Sequence, residues 1–317
     1  MVNWLVIGIG DVTTKRVIPA ILEEPRSSLY GVVTRDPSKA ARYPGVKAWT
    51  SLNEALADRA ITAVYVASPV ALHRAQAIAS LEAGRAVLLE KPVGMNYAEA
   101  VSIAEAAEAT GSLLGIAYFR RLFPKLIRAK ELLAAGAIGR PALAEASFHG
   151  WLESEERAWL RDPALAGGGP LYDTASHRID ALNFVFGAPQ WATGLRTNPI
   201  HGLGVDEAAS ISILYGGGVQ AEIDVRWNSG IRRDELRFTG TEGEIVLDDF
   251  NGPLLRVTNR EGTREEQLPS HANVHYPLIE NFAAAVLDGV APVARPREAI
   301  QTDWVTEQVM KASPPLG

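Results

Sequence analysis

Apolar and polar residues follow one rhythm in the first part of this chain and another in the rest. Up to Tyr118, short apolar runs alternate with segments of helical spacing. Asn3 to Ile9, Leu29 to Val33, Ala63 to Ala67, Ala86 to Leu89 and Leu113 to Ala117 read as strands buried on both faces. Between them, the spacing predicts helices over Lys15 to Glu24, Leu52 to Ala57, Ala71 to Ala83 and Ala98 to Ala109, with Gly84 and Gly111 as stops. Strict alternation of this kind predicts a parallel, doubly wound sheet.

After Tyr118 the segments lengthen and alternate with period two. A helix over Lys125 to Ala135 precedes Leu143 to Phe148, Ala208 to Tyr215, Val219 to Trp227, Glu235 to Thr239, Glu244 to Asp248 and Leu254 to Thr258. Gly216 to Gly218 and Thr241-Glu242-Gly243 read as turns. Helical spacing returns over Pro277 to Asp288 and Arg297 to Lys311. The expectation is an α/β chain of two domains. Residues 1–118 form a Rossmann domain with a doubly wound parallel sheet. Residues 119–317 form an α+β domain with a large mixed or antiparallel sheet. A length of 317 residues suits two cores rather than one.

Composition narrows the function. Apolar residues make up 47% and charged residues 21%, the balance of an ordinary globular protein. The net charge is -6 and no basic run interleaves with aromatics, so no nucleic-acid partner is expected. The absence of cysteine removes disulfides, thiol catalysis and thiolate metal sites. No apolar stretch is long enough to span a bilayer, and the start does not read as a signal peptide. The expectation is a cytoplasmic protein.

The first candidate chemistry is Gly8-Ile9-Gly10-Asp11-Val12-Thr13, at the end of the first strand. In G-x-G-x-x-G turns, the first glycine makes the tight turn and the second admits the pyrophosphate. The helix that follows meets the phosphates with its N–H groups and dipole. Here Thr13 takes the third position and is expected to add a hydroxyl contact. The second strand ends Val33-Thr34-Arg35-Asp36. A small Thr34 followed by Arg35 favours the 2′-phosphate of NADP(H), whereas Asp36 leaves NAD(H) open. A solvated turn is the plain alternative.

Glu90-Lys91-Pro92 lies beyond the fourth predicted strand, at the sheet edge where such folds bind ligands. Pro92 fixes its own φ and biases Lys91 towards extended backbone. A surface lysine paired with Glu90 is the competing reading. About eighty residues on, Gly167 to Gly169 lead into Asp173, His177 and Asp180, spaced along one helical face. A histidine handles protons near neutral pH, and an acid one turn away can orient it. Asp173 and His177 as a metal pair lack further ligands at convenient spacing, so no metal is expected.

These segments together resemble the glucose–fructose oxidoreductase/inositol dehydrogenase (Gfo/Idh/MocA) family of NAD(P)-dependent oxidoreductases. The resemblance runs in order through VIGIGDVTTKRVIPAI, VTRDPSKA, VASPVALHRAQAIASLEAGRAVLLEKPVG and GGGPLYDTASHRIDAL. It implies that Lys91, Asp173 and His177 form the active site. It implies that Ser68, Pro69, His73 and Glu90 join Gly8, Gly10, Asp11, Val12, Thr13, Thr34 and Arg35 around the cofactor. It also implies a homodimer or homotetramer built through the C-terminal sheet. Thr13, in place of Gly or Ala, and Ala175, in place of the commoner Gly, depart from the family pattern.

Lys91 would then stabilise charge on the reacting oxygen, His177 would act as general base, and Asp173 would orient the substrate or the base. The substrate expected is a carbohydrate-like small molecule. Tyr118, Arg121, Trp151, Trp159 and Arg161 are candidates to contact it, with a surface position for Arg121 as the alternative. His201, His271 and His275 have no context in the sequence. A redox-neutral glycoside-cleaving or isomerising enzyme and a non-catalytic NAD(P) sensor are the rival functions.

Overall fold

The computed structural model describes residues 1–152 and 158–316. It divides into a unit of Met1–Phe119 with His271–Ile300 and a unit of Arg120–Ser270 with Gln301–Gly317. In the first unit, β1 (Val2–Ile7), β2 (Ser27–Val33), β3 (Lys47–Trp49), β4 (Ala63–Val66), β5 (Ala86–Leu89) and β6 (Leu114–Ile116) form one sheet. Its order is β3-β2-β1-β4-β5-β6, with every pair parallel. Leu5, Val6, Val64, Val66, Val87 and Leu89 are buried, because both faces of the sheet are covered. The strand order reverses at β1 and β4. Their carboxyl ends therefore splay into a crevice where a ligand can enter.

Connecting helices are α1 (Ile18–Glu23), α2 (Leu52–Leu56), α3 (His73–Glu82) and α4 (Tyr97–Thr110). Local chemistry sets their ends. Asn96 accepts from Glu99 N at 2.9 Å to start α4, and Gly111 at φ +66° stops it. The three-residue β3 carries too little pattern to be predicted. Glu90-Lys91-Pro92 consequently follows the fifth strand, not the fourth.

The second unit contains α5 (Pro124–Ala134), β7 (Pro141–Trp151), α6 (Pro163–Ala166), α7 (Ser176–Phe186), β8 (Trp191–Thr197) and β9 (Ala208–Leu214). It continues with β10 (Gln220–Arg226), β11 (Asn228–Gly240), β12 (Gly243–Asp248), β13 (Leu254–Asn259) and β14 (Gly262–Gln267). These strands order as β14-β13-β12-β11-β7-β10-β9-β8. β7 and β10 run parallel and the other pairs antiparallel, so the sheet is mixed. Ala144, Ala146, Ala221, Ile223, Val225, Ile211 and Ile213 line its buried face. Arg237 with Glu244 at 2.7 Å, and Arg226 with Asp224 at 2.6 Å, lie on the other. The edge strands β8 and β14 were not expected. β14 is Gly-Thr-Arg-Glu-Glu-Gln, with no apolar alternation to read.

The closing region departs from the expected boundary at 118/119. Helix α8 (Tyr276–Asp288) and α9 (Pro296–Ala299) return to the first unit. Phe282 is fully buried against Trp4, ring centroids 5.6 Å apart. Ile116 N donates to Ala294 O at 3.1 Å. The helix predicted over Arg297 to Lys311 divides at Ile300, and α10 (Gln301–Ala312) belongs to the second unit. Helical periodicity shows an apolar face but not which core it completes. Among the described residues, no helix is long and apolar enough to cross a membrane.

If α8 completes the first core, Phe282→Ala removes about 3–5 kcal/mol of its stability. A denaturant titration followed by tryptophan fluorescence should show the transition moved to lower denaturant. An unchanged midpoint would contradict the assignment.

Candidate active site

The crevice of the first unit is built from strand ends. β1 runs into Gly8 at φ +91°, where a Cβ would lie 2.8 Å from Ala67 O, so only glycine fits. A Cβ on Gly10 would meet nothing within 4 Å. That leaves open space before the first helical turn, at Asp11 and Val12, whose N–H groups have no acceptor within the helix. This arrangement fits the pyrophosphate of a dinucleotide. Thr13 corrects an expectation. It is fully buried, and its hydroxyl accepts from Gly10 N at 2.8 Å and donates to Gly8 O at 3.0 Å. The hydroxyl braces the turn instead of reaching outward, which accounts for a threonine where glycine is usual. Asp11 pairs with Lys15 at 2.5 Å.

At the end of β2, Thr34 is buried and Arg35 exposed. Asp36 Oδ1 accepts from Ser38 N at 3.0 Å and from Ser38 Oγ at 2.6 Å, capping the turn Pro37–Arg42. These bonds hold the Asp36 carboxyl below the usual carboxylate range. Lys39 Nζ reaches Ile9 O in the glycine turn at 3.4 Å.

Beyond β4 and β5, His73 ties two loops together. Its Nδ1 lies 2.9 Å from Pro92 O and its Nε2 3.0 Å from Ser68 O. Burial pushes its pKa down to about 4, while the carbonyls oppose that shift. Ser68 Oγ bonds Gln76 Oε1 at 2.7 Å. The Lys91–Pro92 peptide is cis. Glu90 accepts from the buried Tyr65 hydroxyl at 2.7 Å, and its other oxygen from Lys91 N at 3.2 Å. Burial and this carboxylate raise the Tyr65 pKa well above its ordinary value, so the phenol stays a donor. His275 lies against the Phe119 ring, 4.5 Å between centroids, with Nε2 4.0 Å from Glu90 Oε1. Sequence reasoning missed Tyr65 and found no context for His275, since neither sits in a motif.

Tyr118, expected at the substrate, is fully buried in the first unit's core among Val93, Leu89 and Ile116. Its ring is a packing element.

In the second unit, the glycine run answers to packing. A Cβ on Gly167 or Gly168 would lie 2.6 Å or 2.5 Å from the Tyr172 ring. A Cβ on Gly169 would lie 1.9 Å from Asp206 O. The run leads into a π-helical turn, Leu171–Ala175, that carries Asp173, and then into α7 with His177 at its first turn. Arg178 is buried, donates to Asp234 Oδ1 and to Thr174 O at 3.1 Å, and packs over Phe148. Asn251 bonds Asp234 at 2.5 Å and receives Arg120 at 3.0 Å. The buried Arg178–Asp234 pair anchors the helix start to β11, with Asn251 and Arg120 at its rim.

Arg121 is a third correction. It is neither a surface cation nor a group directed at substrate, because it is buried and makes a bidentate pair with Asp180 at 2.7–3.1 Å. Asp180, expected to extend the Asp173–His177 face, is that partner. Trp151 is 49% exposed and Trp159 36% exposed, and Arg161 closes the short turn Ala158–Arg161. Trp151 meets the edge of His201, ring centroids 4.7 Å apart. Among the described residues, no three His, Asp or Glu side chains gather as a metal site.

Comparison with known proteins places these motifs in one frame. Residues 2–118 match the model of an oxidoreductase family with an NAD-binding Rossmann fold. Residues 126–246 match that of the GFO/IDH/MocA C-terminal domain. The chain is 27% identical to 1,5-anhydro-D-fructose reductase of Ensifer adhaerens, over 99% of this chain and 96% of that one. It is 32% identical to trans-1,2-dihydrobenzene-1,2-diol dehydrogenase of Oryctolagus cuniculus, over 80% and 76%. The fold is similar to that of a 3-ketoreductase from Actinomadura kijaniata in complex with NADP and TDP-benzene. There the TM-score is 0.88 at 22% identity, covering 98% of each chain.

His73 gives the site a pH signature. Its folded pKa lies below its unfolded one, so the unfolded chain binds the extra proton between about pH 6.5 and 4. Stability is full above pH 6.5 and falls by about 3 kcal/mol as pH drops through that window. His73→Gln should flatten this part of a stability-versus-pH curve. An unaltered slope would show that the titrating group is elsewhere.

Proposed function

The chain belongs to the GFO/IDH/MocA family of NAD(P)-dependent oxidoreductases, and on that premise we propose an NADP(H)-preferring enzyme that interconverts a secondary alcohol and a ketone on a sugar, polyol or related cyclic alcohol. The observation that carries this reading is the braced turn at the carboxyl end of β5. His73 holds Pro92 O and Tyr65 holds Glu90, so Lys91 stands on a fixed backbone at the crevice edge. The cofactor supplies or accepts a hydride. Lys91 donates a hydrogen bond to the substrate oxygen and stabilises the negative charge that develops there. His177 takes the hydroxyl proton in oxidation and returns it in reduction. Asp173, one turn earlier, orients the substrate or His177.

Gly8, Gly10, Asp11 and Val12 hold the pyrophosphate, and Thr13 shapes their turn. Ser68, Pro69 and His73 line the same strand edge. The turn after β2 supports NADP(H). Asp36 is engaged in its own cap, and Arg35 and Lys39 supply cations beside the ribose position. The names of the two relatives, a reductase of anhydrofructose and a dehydrogenase of a dihydrodiol, support a ring-bearing substrate. Trp151 and Trp159 offer apolar surface for such a ring. The charged face of the eight-stranded sheet is our choice for contact with a second copy.

The test is nicotinamide absorbance on a panel of sugars, inositols, keto sugars and dihydrodiols, with NADP(H) and NAD(H) in parallel. Wild type should turn over with a preference for NADP(H). Lys91→Met should abolish turnover, and His177→Asn should lower kcat by about 10²–10⁴-fold. NADPH affinity should be kept in both. Arg35→Ala should cut the preference for NADPH by about tenfold or more. Turnover undiminished in Lys91→Met would overturn its assignment, and a wild-type preference for NADH would overturn that of the cofactor.

A further inference from the structure

Asp206 and Glu207, just ahead of β9, are both fully buried, and neither has a part in the chemistry above. Burial raises the pKa of Asp206, so the carboxylate needs strong donors. It has two. Gly169 N and Leu171 N each donate to it at 2.9 Å. These amides open the helical segment that carries Asp173 and His177, where N–H groups lack partners within the helix. Asp206 also presses on that segment. Its backbone oxygen allows only glycine at 169, and its Oδ1 would lie 3.0 Å from a Cβ on Gly168.

Glu207 faces another loop. Its Oε2 accepts from Ile200 N at 2.8 Å and its Oε1 from His201 N at 2.5 Å. His201 in turn places Nε2 3.1 Å from Trp227 O and meets the half-exposed Trp151 edge-on. Trp227 N donates to Glu207 O at 2.8 Å, closing the set. Two neighbouring carboxylates thus hold two different walls, and one step of about 3.8 Å along the chain separates their anchor points.

We propose that Asp206 and Glu207 are positioning residues with separate duties: Asp206 fixes the start of the helix bearing Asp173 and His177, and Glu207 fixes a Trp151–His201 wall that receives the ring of the substrate. The proposal rests on the dehydrogenase reading above. Asp206 governs where the proton-handling group stands and is felt in kcat. Glu207 governs how the ring is held, in ground and transition state alike, and is felt in KM.

The experiment compares Asp206→Ala, Asp206→Asn, Glu207→Gln and Trp151→Ala with wild type on the panel substrate that turns over best. Thermal midpoint, NADPH affinity by fluorescence, kcat per cofactor-binding site and KM are measured together. Asp206→Ala should lose about 10²-fold in kcat, with KM held within about threefold. Asp206→Asn, which keeps one acceptor oxygen, should recover part of that loss. Glu207→Gln and Trp151→Ala should raise KM by about tenfold with kcat nearly kept, and combining them should add little. NADPH affinity should not move in any variant. Equal kcat and KM changes in the two groups of variants would overturn the proposal. So would variants that differ from wild type only in thermal midpoint, or failure of both Asp206 variants to fold, since each would leave these carboxylates a structural role alone. A wild type silent on the whole panel would overturn the dehydrogenase reading first, and the proposal with it.

Discussion

A buried imidazole between two carbonyl oxygens fixes the turn that carries Lys91. His73 joins Ser68 O beyond β4 to Pro92 O beyond β5, and Lys91 lies between that anchor and Glu90. Loops that approach a ligand need small residues and exposed backbone, which leaves them poorly ordered by packing alone. Here buried polar side chains do the ordering. His73, Tyr65 and Thr13 serve the first unit, and Asp206, Glu207 and Asp234 the second. Each satisfies groups that would be costly to bury unpaired.

The same logic explains which features were legible in the sequence. Gly8 and Gly169 are imposed by backbone atoms at 2.8 Å and 1.9 Å from a would-be Cβ, so the residue type announces the constraint. Glu90-Lys91-Pro92 and the Asp173–His177 spacing stand out in the sequence because few residue types supply a fixed cation or handle a proton near neutral pH. The parallel strands β1, β4 and β5 are legible because burial on both faces forces continuous apolar runs.

What escaped reading depends on partners far away in the chain. Arg121 looks like a ligand-binding cation until Asp180, 59 residues on, is seen to claim it. Tyr118 looks like a site residue because it follows a strand, yet it faces the core. Asp36 has the position of a ribose-binding acid and is used as a cap. Asp206 carries no motif, since a lone buried acid is invisible without its two amide donors. The return of α8 to the first unit was hidden for a like reason, and so were the edge strand β8 and the polar edge strand β14. Periodicity reports a face, not its neighbour.

The reaction proposed for this chain moves hydride between a nicotinamide and a carbinol carbon, with Lys91 at the reacting oxygen. The most direct measurement is to supply NADPH deuterated at the transferring position of its ring, together with keto sugars and keto inositols, and to locate deuterium in the products by NMR. Deuterium is expected on the new carbinol carbon with wild type and not with Lys91→Met. Alcohol formed without deuterium at that carbon, or deuterium transferred equally by the variant, would contradict the proposed reaction.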